Sequence, residues 1–192
     1  MKKKIPYLEE WLELAQSGNF KKAQTIYYEN LFPVVIDNFI DEHKGLISEG
    51  GTLFSILGFS PEPIILTART VRPTKHVIFT SNQTSEGLEY LDKFLETPYE
   101  VVNIENETFI TLYKALKEKL VLNPDSQLTL DITGGKKSMV ASASIFGKDY
   151  GCRIVYVDFT DYIKDLRKPK PGSEVLNLVY DPFRDQPEII LE

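Results

Sequence analysis

Little in this chain can be cross-linked, bound to a metal or titrated near neutrality: of its 192 residues one is cysteine and two are histidine. One cysteine excludes an intrachain disulfide framework and suits a reducing cytoplasm, which is the expected location. Cys152 stands beside the apolar run Ile154-Val155-Tyr156-Val157 and reads as a small buried residue rather than a nucleophile. His43 lies in a charged run with nothing at metal-ligand spacing near it, and His76 opens an apolar strand pattern, so both read as structural and no metal or cofactor is expected. Positive charge is not in surplus either. With 22 basic and 28 acidic side chains and a net charge of −6, broad binding to duplex nucleic acid is excluded. An anionic ligand must instead be met by a local basic pocket. Apolar runs are short, and none follows Met1-Lys2-Lys3-Lys4-Ile5-Pro6, so neither a signal peptide nor a membrane span is expected.

Two stock phosphate motifs are missing as well. A Walker A loop needs glycine five residues before its Gly-Lys and serine or threonine directly after; around Gly135-Lys136 those positions hold Leu130 and Lys137. The dinucleotide fingerprint G-x-G-x-x-G occurs nowhere.

What is present centres on Gln127 to Met139, which reads as a short alternating strand, a turn with paired glycines, and a helix opening on two lysines and a serine. Such a turn leaves the first helical N–H groups at the positive end of the helix dipole. Glycines let a phosphate approach the backbone, and lysines add full charge beside it. A turn that merely wants glycine would explain Gly134 and Gly135. It would not explain why Thr133, Lys136, Lys137 and Ser138 fall within the same turn.

The remaining chain frames this cradle. With 42% hydrophobic residues, 192 residues can bury one good core and a small appendage. From Tyr7 to about Ile40 the period is helical: Leu8, Trp11, Leu12 and Ala15 share one face, Ser17-Gly18-Asn19 ends the helix, and Phe20, Ala23, Ile26, Tyr27 and Leu31 form the face of a second. This resembles one tetratricopeptide hairpin, and a lone repeat must pack against the main domain or a partner subunit. Pro33 begins a further helical piece. After Gly50-Gly51 the pattern becomes strand–helix alternation, with strands at Leu53–Leu57, His76–Thr80, Tyr99–Ile104, the cradle strand, Cys152–Phe159 and Glu174–Tyr180. Pro61 or Pro63 starts the first intervening helix, and Phe109 to Leu122 forms the third. Asp161 to Gly172 reads as a basic loop. This predicts an α/β, Rossmann-like, mostly parallel sheet with helices on both faces and an N-terminal helical hairpin. The expected divisions are 1–50 for the hairpin, 51–182 for the sheet domain, and a tail at 183–192.

In open parallel sheets, ligands sit beyond the carboxyl ends of the strands. Those ends gather Gly58-Phe59-Ser60, Thr80-Ser81-Asn82, Asn103, Thr133 to Lys136, and Thr160-Asp161-Tyr162. The set is rich in hydroxyls, amides and glycines, and Phe59 and Tyr162 could stack on a base. A nucleotide-like, phosphate-bearing ligand is the expectation.

The segment Asp131-x-Thr133-Gly134-Gly135-x-Lys137 resembles the D-x-T-G-G-T-K signature of CARF domains, the CRISPR-associated Rossmann-fold sensors of type III antiviral systems. Threonine is usual where this chain has Lys136, which leaves open whether Lys136 or Lys137 takes the family lysine's role. Gly58-Phe59-Ser60-Pro61 is similar to the family's first motif, and the likeness covers roughly residues 51 to 182. The resemblance implies a homodimer binding one cyclic oligoadenylate across its two-fold axis, a self-complementary arrangement suited to a symmetric ring. Cyclic tetra-adenylate would place a nucleotide pair on each cradle, with Gly134 to Lys137 on phosphate and Ser60 and Thr80-Ser81-Asn82 on ribose or adenine; cyclic hexa-adenylate would need a wider site. It also implies an effector. None fits before Leu191-Glu192, so the chain is expected to be the sensor part of a longer protein or to recruit its effector. The alternative is a metal-independent ring nuclease, with Lys136 or Lys137 offsetting charge and Ser60 or Ser81 nearby. A third reading is a helical-hairpin interaction module whose α/β part is a scaffold.

Overall fold

The computed structural model describes residues 3–81, 87–122 and 127–185. Two compact units form, Met1–Leu46 with Asp158–Leu176, and Ile47–Val157 with Asn177–Glu192.

The second unit is built on the sheet. The strands of that sheet are β1 Thr52–Ile56, β2 Lys75–Ser81, β3 Tyr99–Ile104, β4 Leu128–Asp131, β5 Arg153–Phe159 and β8 Glu174–Tyr180, in the order β3-β2-β1-β4-β5-β8, and only the last two residues of β5 and the first three of β8 are counted with the first unit. The pairings β1–β2, β1–β4, β2–β3 and β4–β5 are all parallel, as the alternation predicts. Every residue of β1 and β4 is buried, the pattern of parallel strands covered on both sides. Side-chain alternation divides the two faces. Phe54, Ile56, Val77, Phe79, Leu128, Leu130 and Ile154 point to one face. There they join Leu112 and Leu116 of α6 (Phe109–Leu122) and Met139, Ala143 and Phe146 of α7 (Lys137–Asp149) in one core. Ser55, His76 and Asp131 point to the other face, where Thr67 of α4 (Glu62–Val71) acts on Asp131. The choice between two prolines is settled here: Pro61 is the N-cap of α4 and Pro63 lies within its first turn. α5 spans Leu88–Phe94.

The first unit carries the helices α1 (Leu8–Gln16), α2 (Phe20–Ile26) and α3 (Phe32–His43). As Pro33 predicts, a further helix begins there, with the proline in the first turn of α3. A π-turn, Tyr27–Leu31, joins α2 to α3, and the Phe32 N–H bonds back to the Tyr27 carbonyl. That widened turn accommodates a proline, which has no N–H to give to the preceding turn. Trp11, Ala15, Ala23 and Leu31 form the seam of the hairpin. Phe20, expected on that seam, is 67% exposed. Helical side chains lean toward the helix N-terminus, so the first residue of α2 projects past the end of its own helix. The basic loop is likewise more ordered than expected. Tyr162–Ile163 (β6) and Lys168–Pro169 (β7) form an antiparallel ribbon, because Ile163 and Leu166 anchor it against the hairpin seam. His43 is structural: Nδ1 bonds the Phe39 carbonyl at 2.8 Å and Nε2 accepts the Leu176 N–H at 3.0 Å.

Candidate phosphate-binding site

β1 is flanked by β2 on one side and β4 on the other, so strand order reverses between β1 and β4. The helices that follow β1 and β4 go to opposite faces of the sheet, and this reversal point marks the crevice at the carboxyl edge. The crevice floor is backbone on backbone. A Cβ added at Gly134 would stand 2.1 Å from the Ile56 carbonyl oxygen and 2.7 Å from the Gly58 nitrogen, and one at Gly58 would stand 3.0 Å from the Gly135 nitrogen. Only glycine permits this approach. Gly135 then turns the chain with φ +87° into α7.

Asp131 and Thr133 lock the turn from beneath. Asp131 is 1% exposed, and its Oδ1 accepts the Thr133 N–H at 3.0 Å and the Thr133 hydroxyl at 2.5 Å. Thr133 Oγ1 in turn accepts the Val157 N–H at 2.9 Å, tying the turn to β5. Burial pushes the Asp131 carboxyl up to about 6, against the opposing pull of Thr133 and the Thr67 hydroxyl. Neither Thr67 Oγ1 nor Asp131 Oδ2 reaches hydrogen-bond geometry with any described atom. Asp131 thus holds the turn from inside the protein rather than facing the crevice.

Above the floor lies the charged rim. Lys136 is the N-cap of α7 in extended conformation and makes no side-chain cap bond, leaving the first turn's positive dipole end facing the crevice. Its ammonium pairs with the carboxylate of Glu107, in the loop between β3 and α6. The Lys136 ammonium and the Ser81 hydroxyl hold Glu107 below the usual carboxylate range. Ser138 Oγ donates to the Glu107 carbonyl at 2.9 Å. Glu107 therefore joins the ends of β2, β3 and β4, and the sequence reading missed it. The run Glu105-Asn106-Glu107-Thr108 reads as an ordinary polar turn, with nothing local to single out its second glutamate. Lys137 is exposed and pairs with no described residue.

The other expected residues divide. Phe59 is 99% exposed and Ser60 exposed at the crevice mouth, while Asn103 is exposed beside Thr80 in register. Thr80 is buried, its hydroxyl directed to the Ser81 carbonyl at 3.2 Å, so it supports the rim rather than lining it. Asn82 lies outside the described residues. Tyr162 belongs to the other compact unit, stacked on Phe159 with ring centroids 5.4 Å apart. His76 sits buried at the start of β2, with Nε2 3.0 Å from Ser55 Oγ, and burial lowers its pKa to about 4. Cys152 is buried, as expected, and its thiol is pushed up to about 12.

The doubly wound order turns at Asp131-x-Thr133-Gly134-Gly135, where the strand order reverses. The chain is 24% identical over 188 residues to the CRISPR system endoribonuclease Csm6 of Thermus thermophilus, covering 94% of this chain and 40% of that protein. It thus spans about two fifths of the relative's length. Among solved structures, Can2 from Sulfobacillus thermosulfidooxidans in complex with cyclic tetra-adenylate matches with a TM-score of 0.51 at 18% identity, over 56% of this chain and 32% of Can2. Enterococcus italicus Csm6 bound to cyclic hexa-2'-fluoro-hexa-dAMP matches with a TM-score of 0.48 at 19% identity, over 60% and 35%. No family model matches the chain. Among the described residues no helix is long and apolar enough to cross a membrane.

Proposed function

We propose that this chain is a sensor of a cyclic oligoadenylate, with cyclic tetra-adenylate as the ring, bound across a homodimer two-fold axis in type III CRISPR defence and signalling to a fused or recruited effector. The observation that carries this reading is the Gly58–Gly134 contact at the strand-order reversal. It sinks the backbone and leaves the α7 N-terminus, Lys136 and Lys137 around a crevice that a phosphodiester can enter. Support comes from the Can2 structure, a protein of the same fold that holds cyclic tetra-adenylate, and from the sequence likeness to Csm6. A ring with two-fold symmetry matches a site repeated by a two-fold axis. Phe59, fully exposed at the mouth, offers a face for adenine. His76 is held by Ser55 Oγ at the start of β2, the opposite end of the strand from Ser81, so it is not at hand as a general base, and the ring is expected to stay intact.

The test is calorimetric titration with cyclic tetra-adenylate, followed by chromatography of the ligand. Saturation at one ring per two chains with intact ring recovered is the expected result. Absence of binding to any cyclic oligoadenylate overturns the reading, and linear products formed without metal convert it to a ring nuclease.

A further inference from the structure

The crevice already contains an anion. Glu107 reaches from the β3–α6 loop to the Lys136 ammonium and the Ser81 hydroxyl, and its own carbonyl is fastened by Ser138 Oγ at 2.9 Å. Its side chain is 19% exposed while that of Lys136 is 64% exposed, so the carboxylate sits on the inner side of the pair. A carboxylate accepting from an ammonium and a hydroxyl mimics one edge of a phosphate, which would use the same two donors. Ser138, whose hydroxyl sits at the first turn of α7, is also engaged by Glu107 rather than left to a ligand.

We propose that Glu107 is the resident counter-ion of the cradle, a positioning residue that stations Lys136 at the crevice mouth and yields its place to the incoming phosphodiester. This rests on the cradle being the ligand site. Two consequences follow from the chemistry. An intramolecular carboxylate acts at an effective concentration on the order of millimolar, so a stray monoanion below that level does not dislodge it. An exposed ion pair is nonetheless weak enough to be displaced by a multiply charged ring.

The experiment compares wild type, E107Q, K136M and K136M/E107Q, each titrated with inorganic pyrophosphate and with cyclic tetra-adenylate. Glutamine keeps the bond to Ser81 and the loop's fastening through its carbonyl, and removes only the charge. E107Q is expected to bind both probes about two- to fivefold more tightly per cradle, the factor corresponding to an exposed ion pair. In the K136M background the same change should give no gain through displaced pairing, which separates this role from a merely structural one. E107A, which removes the side chain's reach altogether, must show the same direction should E107Q fold poorly. Equal or weaker pyrophosphate binding by E107Q and E107A, or an undiminished gain in K136M, overturns the proposal. The two readings fail separately: a pyrophosphate gain with no ring binding sinks the sensor function alone, whereas ring binding that neither Glu107 variant tightens sinks the counter-ion alone.

Discussion

The floor of the crevice and its rim are made of the same stretch of chain and yet are built on opposite terms. The floor, from Asp131 to Gly134, is buried or half-buried, hydrogen-bonded and sterically closed, with no room for one extra carbon at Gly134. The rim, from Gly135 to Ser138 with Phe59 and Glu107, is exposed or half-exposed and held by contacts a ligand could replace. Shape is therefore set by covalent and steric constraint, and chemistry by loosely held charge. Substitutions in the floor should act on stability, and those in the rim on binding alone.

The largest effect that could break this division is at Gly134. Gly134→Ala drives a Cβ against two backbone atoms, neither of which can swing aside like a flexible side chain. A loss of at least about 3 kcal/mol is expected, roughly 6–12 °C in melting temperature for a chain of this size. Urea and thermal unfolding check this, and a stable G134A protein would mean the two loops are not in contact.

Next comes the buried face beneath the floor, where two groups titrate against each other. Asp131 has a folded pKa of about 6, above its ordinary 3.8, so its protonation gains stability as pH falls from about 6 to 4. His76 has a folded pKa of about 4, below its ordinary 6.5, so stability is lost as pH falls from 6.5 toward 4. The two slopes have opposite sign and similar size, so together they nearly cancel in the wild type. Asp131→Asn removes the gain and should expose a loss of about 3 kcal/mol between pH 6.5 and 4 in denaturant titrations. His76→Gln should invert the slope. A D131N protein as insensitive to pH as the wild type would show that the carboxyl is not buried as described.

The floor was readable from the amino acids and the rim only in part, for a physical reason. Strand Tyr99–Ile104 and helix Phe109–Leu122 fall where the apolar period puts them, because burial of a regular element leaves a regular trace. Gly134 and Gly135 stood out because only glycine suits such a turn. Glu107 left no trace, since its partners Lys136 and Ser81 come from distant parts of the chain and its own neighbours look like any polar turn. The π-turn before Pro33, the exposure of Phe20 and the β6–β7 ribbon were hidden likewise. Each depends on where a helix end or loop meets its surroundings rather than on local spacing.

On the rim, replacing Lys136 and Lys137 together with alanine should weaken cyclic tetra-adenylate binding at least about tenfold while leaving the melting temperature in place. A charge-assisted phosphate contact contributes about 1.5–3 kcal/mol, and neither lysine is buried. Calorimetry set beside thermal unfolding reads both sides of the comparison at once. A matching loss of stability would move these lysines from rim to floor.

The smallest effect tests the most exposed position. Phe59 at 99% exposure buries nothing in the folded chain, so Phe59→Ala should leave stability within about 0.5 kcal/mol. An aromatic ring held in water just after the Gly58 turn has no folding role to account for it, whereas an adenine laid on it gains about 1–3 kcal/mol of stacking. Phe59→Ala should then weaken the ring by about fivefold or more, and Phe59→Trp should keep or improve the affinity, because stacking needs a π-face rather than a particular side chain. A hydrogen-bonding role for this loop predicts something else: F59A without effect and Ser60→Ala with the loss. The pair of variants thus decides whether the β1 side of the crevice recognises the base by its face or the ribose by its hydroxyls.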